Sequence, residues 1–329
     1  MTSTLPLLFE PLTIASVTLP NRIVISPMDQ YSAVDGVPGT YHLVHYGKFA
    51  MGGAGTVIVE ATGVSEEGRI TNGCPGLYNA EQVAAFRQIT DFIKEQRSIP
   101  AVQIGHGGRK ASTQRPWEGG GPVTEAEIAK GDRLWKPLGP SENALADGWL
   151  LPKMMDDADL KKTKQDFADA AGRALEAGFE VLEIHMAHGY LLQTFLSPLS
   201  NKRNDGYGGD RQGRMRFPLE VAEAVRAAWP KDKPLFVRIS SVDGIDGGWE
   251  MDDSVALAHE LKARGVDVID CSSGGNSPKG ATNANLTRGP GYQVPFAERV
   301  KREVGIKTMA VGLIREPDLA EQILQVGPA

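Results

Sequence analysis

The feature that most constrains this chain is an alternation. Short apolar, β-branched runs take turns with amphipathic stretches of helical period from one end of the sequence to the other. Such alternation implies a parallel sheet, because parallel neighbours need a crossover long enough to hold a helix. Seven strands are predicted, at 22–26, 56–61, 101–105, 181–184, 235–240, 266–271 and 308–312. Helices are predicted at 80–96, 160–177, 211–229, 252–263, 295–304 and 316–326. Asp252 is read as preceding its helix, whose first turn carries Asp253, and Pro317 falls in the first turn of the last one, where a missing N–H is harmless. No internal repeat or low-complexity linker divides the 329 residues. The expectation is a single α/β domain spanning 1–329, a TIM (β/α)8-type barrel, which takes about 250 residues and more with insertions.

One segment breaks the rhythm. Residues 107–157 are rich in Gly, Pro and Trp, including Pro116-Trp117-Glu118-Gly119-Gly120-Gly121. They read as a loop insertion after the third strand and, since long loops in compact domains usually serve a site, as a lid.

Charge and hydropathy narrow the function classes. A hydrophobic fraction of 41% suffices for a sizeable core, so disorder is not expected. The formal charge of -6 and pI near 5.6, without like-charge blocks, argue against a nucleic-acid partner. No apolar run approaches the roughly 18 residues that span a bilayer, and Met1 to Pro6 lack a charged then apolar leader. No membrane partner and a cytoplasmic location are therefore expected. Cys74 and Cys271 stand far apart without CxxC spacing, which suggests neither a disulfide framework nor a thiolate metal site.

Barrel active sites lie at the C-terminal ends of the strands. The first strand is followed by Ser26-Pro27-Met28-Asp29-Gln30-Tyr31, and the second ends in Glu60-Ala61-Thr62. The third supplies Gln103, with His106, Arg109 and Lys110 after it, and the fourth supplies His185, His188, Gly189 and Tyr190. The fifth carries Arg238, the sixth Ser272-Ser273-Gly274-Gly275, and the seventh Val311 and Gly312. Any one of these has a plain structural reading. Together they form a polar mouth suited to a cofactor with a ring system and a phosphate, the glycines letting backbone N–H groups approach the phosphate. The His185/His188 spacing at a strand end is not helical, and no carboxylate or Cys follows at a ligand position, so no metal is expected. Two neutral imidazoles can instead polarise a carbonyl or phenolate oxygen so that its β-carbon accepts hydride. Tyr190 is then the candidate proton donor.

These residues carry a resemblance. From Phe9-Glu10-Pro11-Leu12 and Asn21-Arg22-Ile23, through Gln103 to Ala111 and His185 to Ser200, to Gly289-Pro290-Gly291-Tyr292-Gln293, the chain resembles the Old Yellow Enzyme family. It is most similar to the bacterial subclass of xenobiotic reductases and thermophilic-like ene-reductases. The resemblance implies FMN as cofactor, NADPH or NADH as reductant, and a ping-pong reduction of activated C=C bonds in enones, enals, maleimides or nitro compounds. It places Ser26, Pro27, Met28, Ala61 and Gln103 around the isoalloxazine. Arg238 would face N1 and the C2 carbonyl, and Ser273, Gly274, Val311 and Gly312 would hold ribityl and phosphate. His185 and His188 would bind the substrate oxygen beside the ring, Tyr190 would give the proton, and Tyr31, Asp29 and Arg109 would be further substrate contacts. A homo-oligomer, dimer or tetramer, is implied.

Two departures stand out. Asp29 occupies the place of a cysteine beside the flavin, where a carboxylate should disfavour negative charge on the reduced ring and lower its potential, unless burial keeps it protonated. The sequence also stops before the family's eighth strand, its phosphate-binding Arg and its final helix. A truncated record or a part supplied by another chain would each account for that. Alternatives to the ene-reductase are a related flavin-barrel dehydrogenase or desaturase, and a degenerate FMN-binding barrel without turnover.

Overall fold

The computed structural model describes residues 5–277 and 286–327. A hairpin of β1 (Leu12–Ile14) and β2 (Val17–Leu19) opens it, followed by β3 (Val24–Ile25), α1 (Thr40–Met51), β4 (Thr56–Gly63), α2 (Ala80–Glu95) and β5 (Ile99–Gly105). Then come α3 (Glu125–Ile128), β6 (Leu138–Gly139), β7 (Lys153–Met154), α4 (Asp157–Glu176), β8 (Val181–Met186), α5 (Leu191–Leu196), α6 (Arg211–Ala228) and β9 (Leu235–Ser240). The order closes with α7 (Met251–Ala263), β10 (Val268–Ser272), α8 (Val294–Val304), β11 (Lys307–Ala310) and α9 (Pro317–Val326).

Among the described residues seven of these strands form one parallel sheet, ordered β11-β10-β9-β8-β5-β4-β3. Strands adjacent in that order follow one another along the chain once the short pair β6 and β7 is set aside, which is the winding of a (β/α)8 barrel. The sheet curls but does not close. A cavity of about 860 Å³ lies between β3 and β11, lined by residues of both edges.

Strand alternation sorts the side chains into two faces. Outward residues such as Val59, Val102, Leu182, Ile184, Val237 and Ile269 pack with the helices in the main core. Inward, Ile58, Ala101, Val181, Phe236 and Val268 form an apolar floor, plugged by Ile14, Val17 and Leu19 of the hairpin. Two residues further along each strand the interior turns polar: Glu60, Gln103, Glu183, Arg238 and Asp270, all buried. Two further again come Thr62, Gly105, His185, Ser240 and Ser272, at the strands' C-terminal ends.

The seven predicted strands and six predicted helices all form, with shifted ends. The first strand shrinks to Val24–Ile25 because it is the sheet's edge and pairs with β4 alone. The helix assigned to follow Asp252 instead starts at Met251, with Glu250 as its N-cap and Asp252 inside its first turn. Pro317 does occupy the first turn of α9. Unanticipated were α1, α5 and the β1–β2 hairpin. The insertion at 107–157 is not structureless: it holds α3, β6 and β7 and is tied down at several points. Trp135 Nε1 donates to Glu67 O at 2.9 Å, and Arg203 donates to Met155 O at 2.8 Å. No helix among the described residues is long and apolar enough to cross a membrane.

Candidate active site

The loop after β8 is the most heavily constrained part of the mouth. His188 sits at φ +61°, a left-handed conformation unusual for a residue with a side chain. Its surroundings fix it there. The His188 N–H donates to Ser240 Oγ at 2.9 Å, Ser240 Oγ donates to Gly274 O at 2.7 Å, and Lys110 Nζ donates to His188 O at 2.8 Å. The Gly189 N–H donates to Gln193 Oε1, and Gln193 in turn donates to the buried carboxylate of Asp243. The approach of the β10 loop requires glycine: a Cβ on Gly275, itself at φ +100°, would lie 2.2 Å from His188 Cα.

This loop brings three predicted residues together. The His185 and His188 rings meet edge to face with centroids 5.1 Å apart, and the Tyr190 ring meets His185 at 4.9 Å. The Ala187 N–H donates to His185 Nδ1 at 3.3 Å, which places that ring's proton on Nε2. His188 Nε2 pairs with Ser272 Oγ at 2.7 Å. Burial, and after it the charge of Arg238, holds both imidazoles well below their ordinary pKa, so both are neutral at pH 7. Burial, and then the charge of Asp29, pushes the Tyr190 phenol well up, so it keeps its proton.

Facing them is the segment after β3. Tyr31, also left-handed at φ +53°, packs with Tyr190 against a small cluster of Ala61, Ile70 and Cys74. Cys74, a residue that gave no functional signal in the sequence, is therefore part of the site wall. Tyr31 also meets Trp117 of the insertion edge to face at 5.8 Å. Asp29 keeps some open surface, but its Oδ1 is enclosed without a hydrogen-bond partner. Burial pushes its carboxyl up to about 6, against the pull of the Ala61 N–H, Arg238 and Tyr31. Glu60 anchors this segment by accepting the Gln30 N–H at 2.7 Å and the Tyr46 hydroxyl at 2.6 Å.

Below the histidines, Gln103 Nε2 donates to Glu183 Oε1 at 2.8 Å, and Arg238 pairs with Asp270 at 3.0 Å. That ion pair is poorly aligned, and Arg238 Nε gains no directed hydrogen bond from it. On the far side Ser273 Oγ donates to Gln293 Oε1, and Gln293 Nε2 donates to Val311 O at 3.1 Å. Gln293, which carried no functional signal of its own in the sequence, thus links Ser273 to Val311. Gly274 and Gly312 have φ of +69° and +123°. Ser26, Val311 and Gly312 line the cavity between β3 and β11. Pro27 is half-buried and Met28 exposed beside them. Arg109 is engaged elsewhere, donating to Asn143 O at 3.3 Å and Asn276 Oδ1 at 2.6 Å, and so joins the insertion to the β10 loop. Among the described residues no group of three or more His, Cys, Asp and Glu is placed to hold a metal.

The arrangement fits a flavin. It offers an apolar wall, an under-paired buried guanidinium, an enclosed carboxyl oxygen without a partner, and glycines of positive φ after the adjacent strands β10 and β11. Comparison with known proteins agrees. The profile of the NADH:flavin oxidoreductase / NADH oxidase family matches residues 7–329. The chain belongs to that family. The NADPH dehydrogenase of Bacillus subtilis (strain 168) is 42% identical over 324 residues, covering 98% of this chain and 88% of the relative. That of Geobacillus sp. (strain WCH70) is 43% identical over 325 residues, with the same coverage of 98% and 88%. Among solved structures, morphinone reductase superposes with a TM-score of 0.80 at 25% identity, covering all of this chain and 85% of that one. The old yellow enzyme homologue from Zymomonas mobilis gives 0.79 at 24% identity, covering 98% and 86%. This family member is an Old Yellow Enzyme-type, NAD(P)H-dependent flavin oxidoreductase, and FMN is its cofactor.

Proposed function

We propose that the enzyme reduces the activated C=C bond of an enone, enal, maleimide or related nitro compound. The observation that carries this reading is the group of His185, His188 and Tyr190: two neutral imidazoles and a protonated phenol at one strand end, with the His185 ring in contact with each of the other two. When bound, the flavin supplies a two-electron carrier that takes hydride from NAD(P)H and passes it to the second substrate. Ser26, Pro27, Met28, Ala61 and Gln103 would border its ring, with Arg238 beneath. Ser273, Gly274, Val311 and Gly312 would hold its ribityl and phosphate.

The chain's own groups do the polar work. His185 donates from Nε2 to the substrate oxygen, and His188, with Nε2 paired to Ser272, presents Nδ1. Drawing electron density to that oxygen makes the β-carbon electrophilic. As the β-carbon gains hydride, the Tyr190 Oη proton goes to the α-carbon, and solvent returns a proton to the phenolate. Tyr31 and Asp29 border the substrate from the opposite wall. Arg109 would meet substrate only by releasing its present acceptors. The insertion, carrying Trp117 to Tyr31, serves as lid of a single-domain barrel.

The test is a visible absorption spectrum of the purified protein, then anaerobic titration with NADPH and 2-cyclohexenone. A flavin band bleached by NADPH and restored by the enone is the expected result. A band that NADPH bleaches and the enone does not restore would point to a dehydrogenase or desaturase instead. A flavin band that NADPH does not bleach would leave the degenerate FMN-binding barrel without turnover.

A further inference from the structure

The polar layer beneath the histidines holds more acid than base. Glu183 and Asp270 are each fully buried, at 0% exposure, and the nearest cation in their layer is Arg238. Glu183 lies beside Gln103 in register and Asp270 beside Arg238, so that Arg238 stands on β9, between the strands that carry the two carboxyls. Glu183 Oε1 accepts from Gln103, while its Oε2 has no partner. Asp270 lies 3.0 Å from Arg238 Nε, but neither of its oxygens gains a directed hydrogen bond. Glu60, the third carboxyl of the layer, has donors of its own in the Gln30 N–H and the Tyr46 hydroxyl; around Arg238, two ionised carboxylates against one guanidinium would leave a net negative charge with no water to solvate it. One proton must therefore stay in the layer. Asp270 has the cation and Glu183 has only a neutral amide, so the proton belongs on Glu183.

We propose that Glu183 and Asp270 are positioning residues for the flavin reaction: Asp270 is ionised and competes with the reduced cofactor for the charge of Arg238, and Glu183 holds the proton that keeps the layer neutral. This rests on Arg238 facing the flavin ring, as proposed above. Burial raises both carboxyls and Arg238 opposes it at both; Glu183, where the Asp270 charge adds to burial, is raised to about 8, so the assignment of the proton rests on the 3.0 Å approach of Arg238 to Asp270. The competing anion makes charge on the reduced ring less favourable than Arg238 alone would, so the layer holds the potential down.

The two carboxyls are distinguished by near-isosteric amides. The midpoint potential of the holoenzyme at pH 7 is measured for the native protein, Glu183→Gln and Asp270→Asn. Asp270→Asn is expected to favour the reduced flavin tenfold or more, a rise of about 30 mV or more for a two-electron couple. Glu183→Gln, an amide for a neutral acid, is expected to change that equilibrium less than threefold. Infrared spectroscopy supplies a readout independent of the potential: the protonated-acid carbonyl stretch of the native holoenzyme, to which Glu60 also contributes, loses the Glu183 component in Glu183→Gln. Should Asp270→Asn not fold with flavin, Asp270→Ser is measured in its place. An upward shift in Glu183→Gln equal to that of the Asp270 variant, no shift in the Asp270 variant, or an infrared band unchanged in Glu183→Gln would each overturn the proposal. A native protein that binds no FMN would overturn the flavin reading itself, which these comparisons leave intact whatever their outcome.

Discussion

At the scale of single residues, chemistry here follows from which groups burial keeps neutral. Tyr190 keeps its proton because a buried phenolate beside Asp29 is unfavourable, as the proposed donor role requires. Tyr190→Phe is expected to slow reoxidation of reduced flavin by an enone by about 10²–10⁴-fold. Flavin reduction by NADPH should change little, and stopped-flow absorbance separates the two half-reactions. A loss confined to the NADPH half would remove Tyr190 from the donor role. Asp29, with its carboxyl raised to about 6, is mostly ionised at pH 7. Asp29→Cys should therefore raise the flavin potential at pH 7. The gap should narrow as pH falls through about 6, because protonating Asp29 removes its charge. A potentiometric series in which the two proteins agree at every pH would show that Asp29 does not act on the ring. The sequence identified Asp29, His185, His188 and Tyr190 by their order after strands. It gave no reason to notice Cys74, whose place in the wall arises from a fold-back of the chain between β4 and α2.

At the scale of elements, the site depends on a few backbone approaches that no side-chain pattern reveals. The β8 and β10 loops touch where Gly275 faces His188, and both carry left-handed residues there. Gly275→Ala is expected to destabilise the fold by about 3 kcal/mol or more, since it combines positive-φ strain with a clash against backbone. Urea denaturation measures this, and a variant as stable as the native protein would show that the loops separate easily. Elements with a strong period were legible. The helix α1 was not: Thr40–Met51 carries His42, His45 and Tyr46 where apolar residues would mark a buried face. Those rings are there because His42 and Tyr46 turn inward to meet Glu60. The insertion read as loop because its short elements are held by side-chain contacts to distant segments, which have no periodic signature.

At the scale of the whole molecule, the polar interior layer links stability to pH. Glu60 and Glu183 are both raised to about 8 by burial, far above their unfolded value of 4.5. Stability from a raised carboxyl is full below its unfolded pKa and is lost as pH rises through the folded one. The buried histidines act oppositely: His42 and His106, lowered to about 4, withdraw stability as pH falls below 6.5. Above pH 6.5 the histidine contribution is nearly complete and the carboxyl loss continues, until Lys110, lowered by burial to about 7, begins to add stability as pH rises further. The free energy of unfolding should therefore fall between pH 6.5 and 7, by up to about 1.4 kcal/mol per pH unit for each carboxyl, and less steeply above 7. Urea midpoints across that range test this, and a flat or rising profile would mean that the layer ionises without strain.

The sequence by itself determined the class of fold and the list of chemical groups at the mouth. Both depend on local periodicity and on residue order, and a parallel barrel places strand ends together whatever the loops do. Only the tertiary structure decided which of those groups meet. Arg109 is turned to Asn143 and Asn276, His188 is held left-handed by three neighbouring segments, and Cys74 enters the wall. The polar layer was also within reach of the sequence, since Glu60, Gln103, Glu183, Arg238 and Asp270 recur at the inward parity of otherwise apolar strands. Its state of charge was not, because that depends on how many carboxyls share one guanidinium once water is excluded.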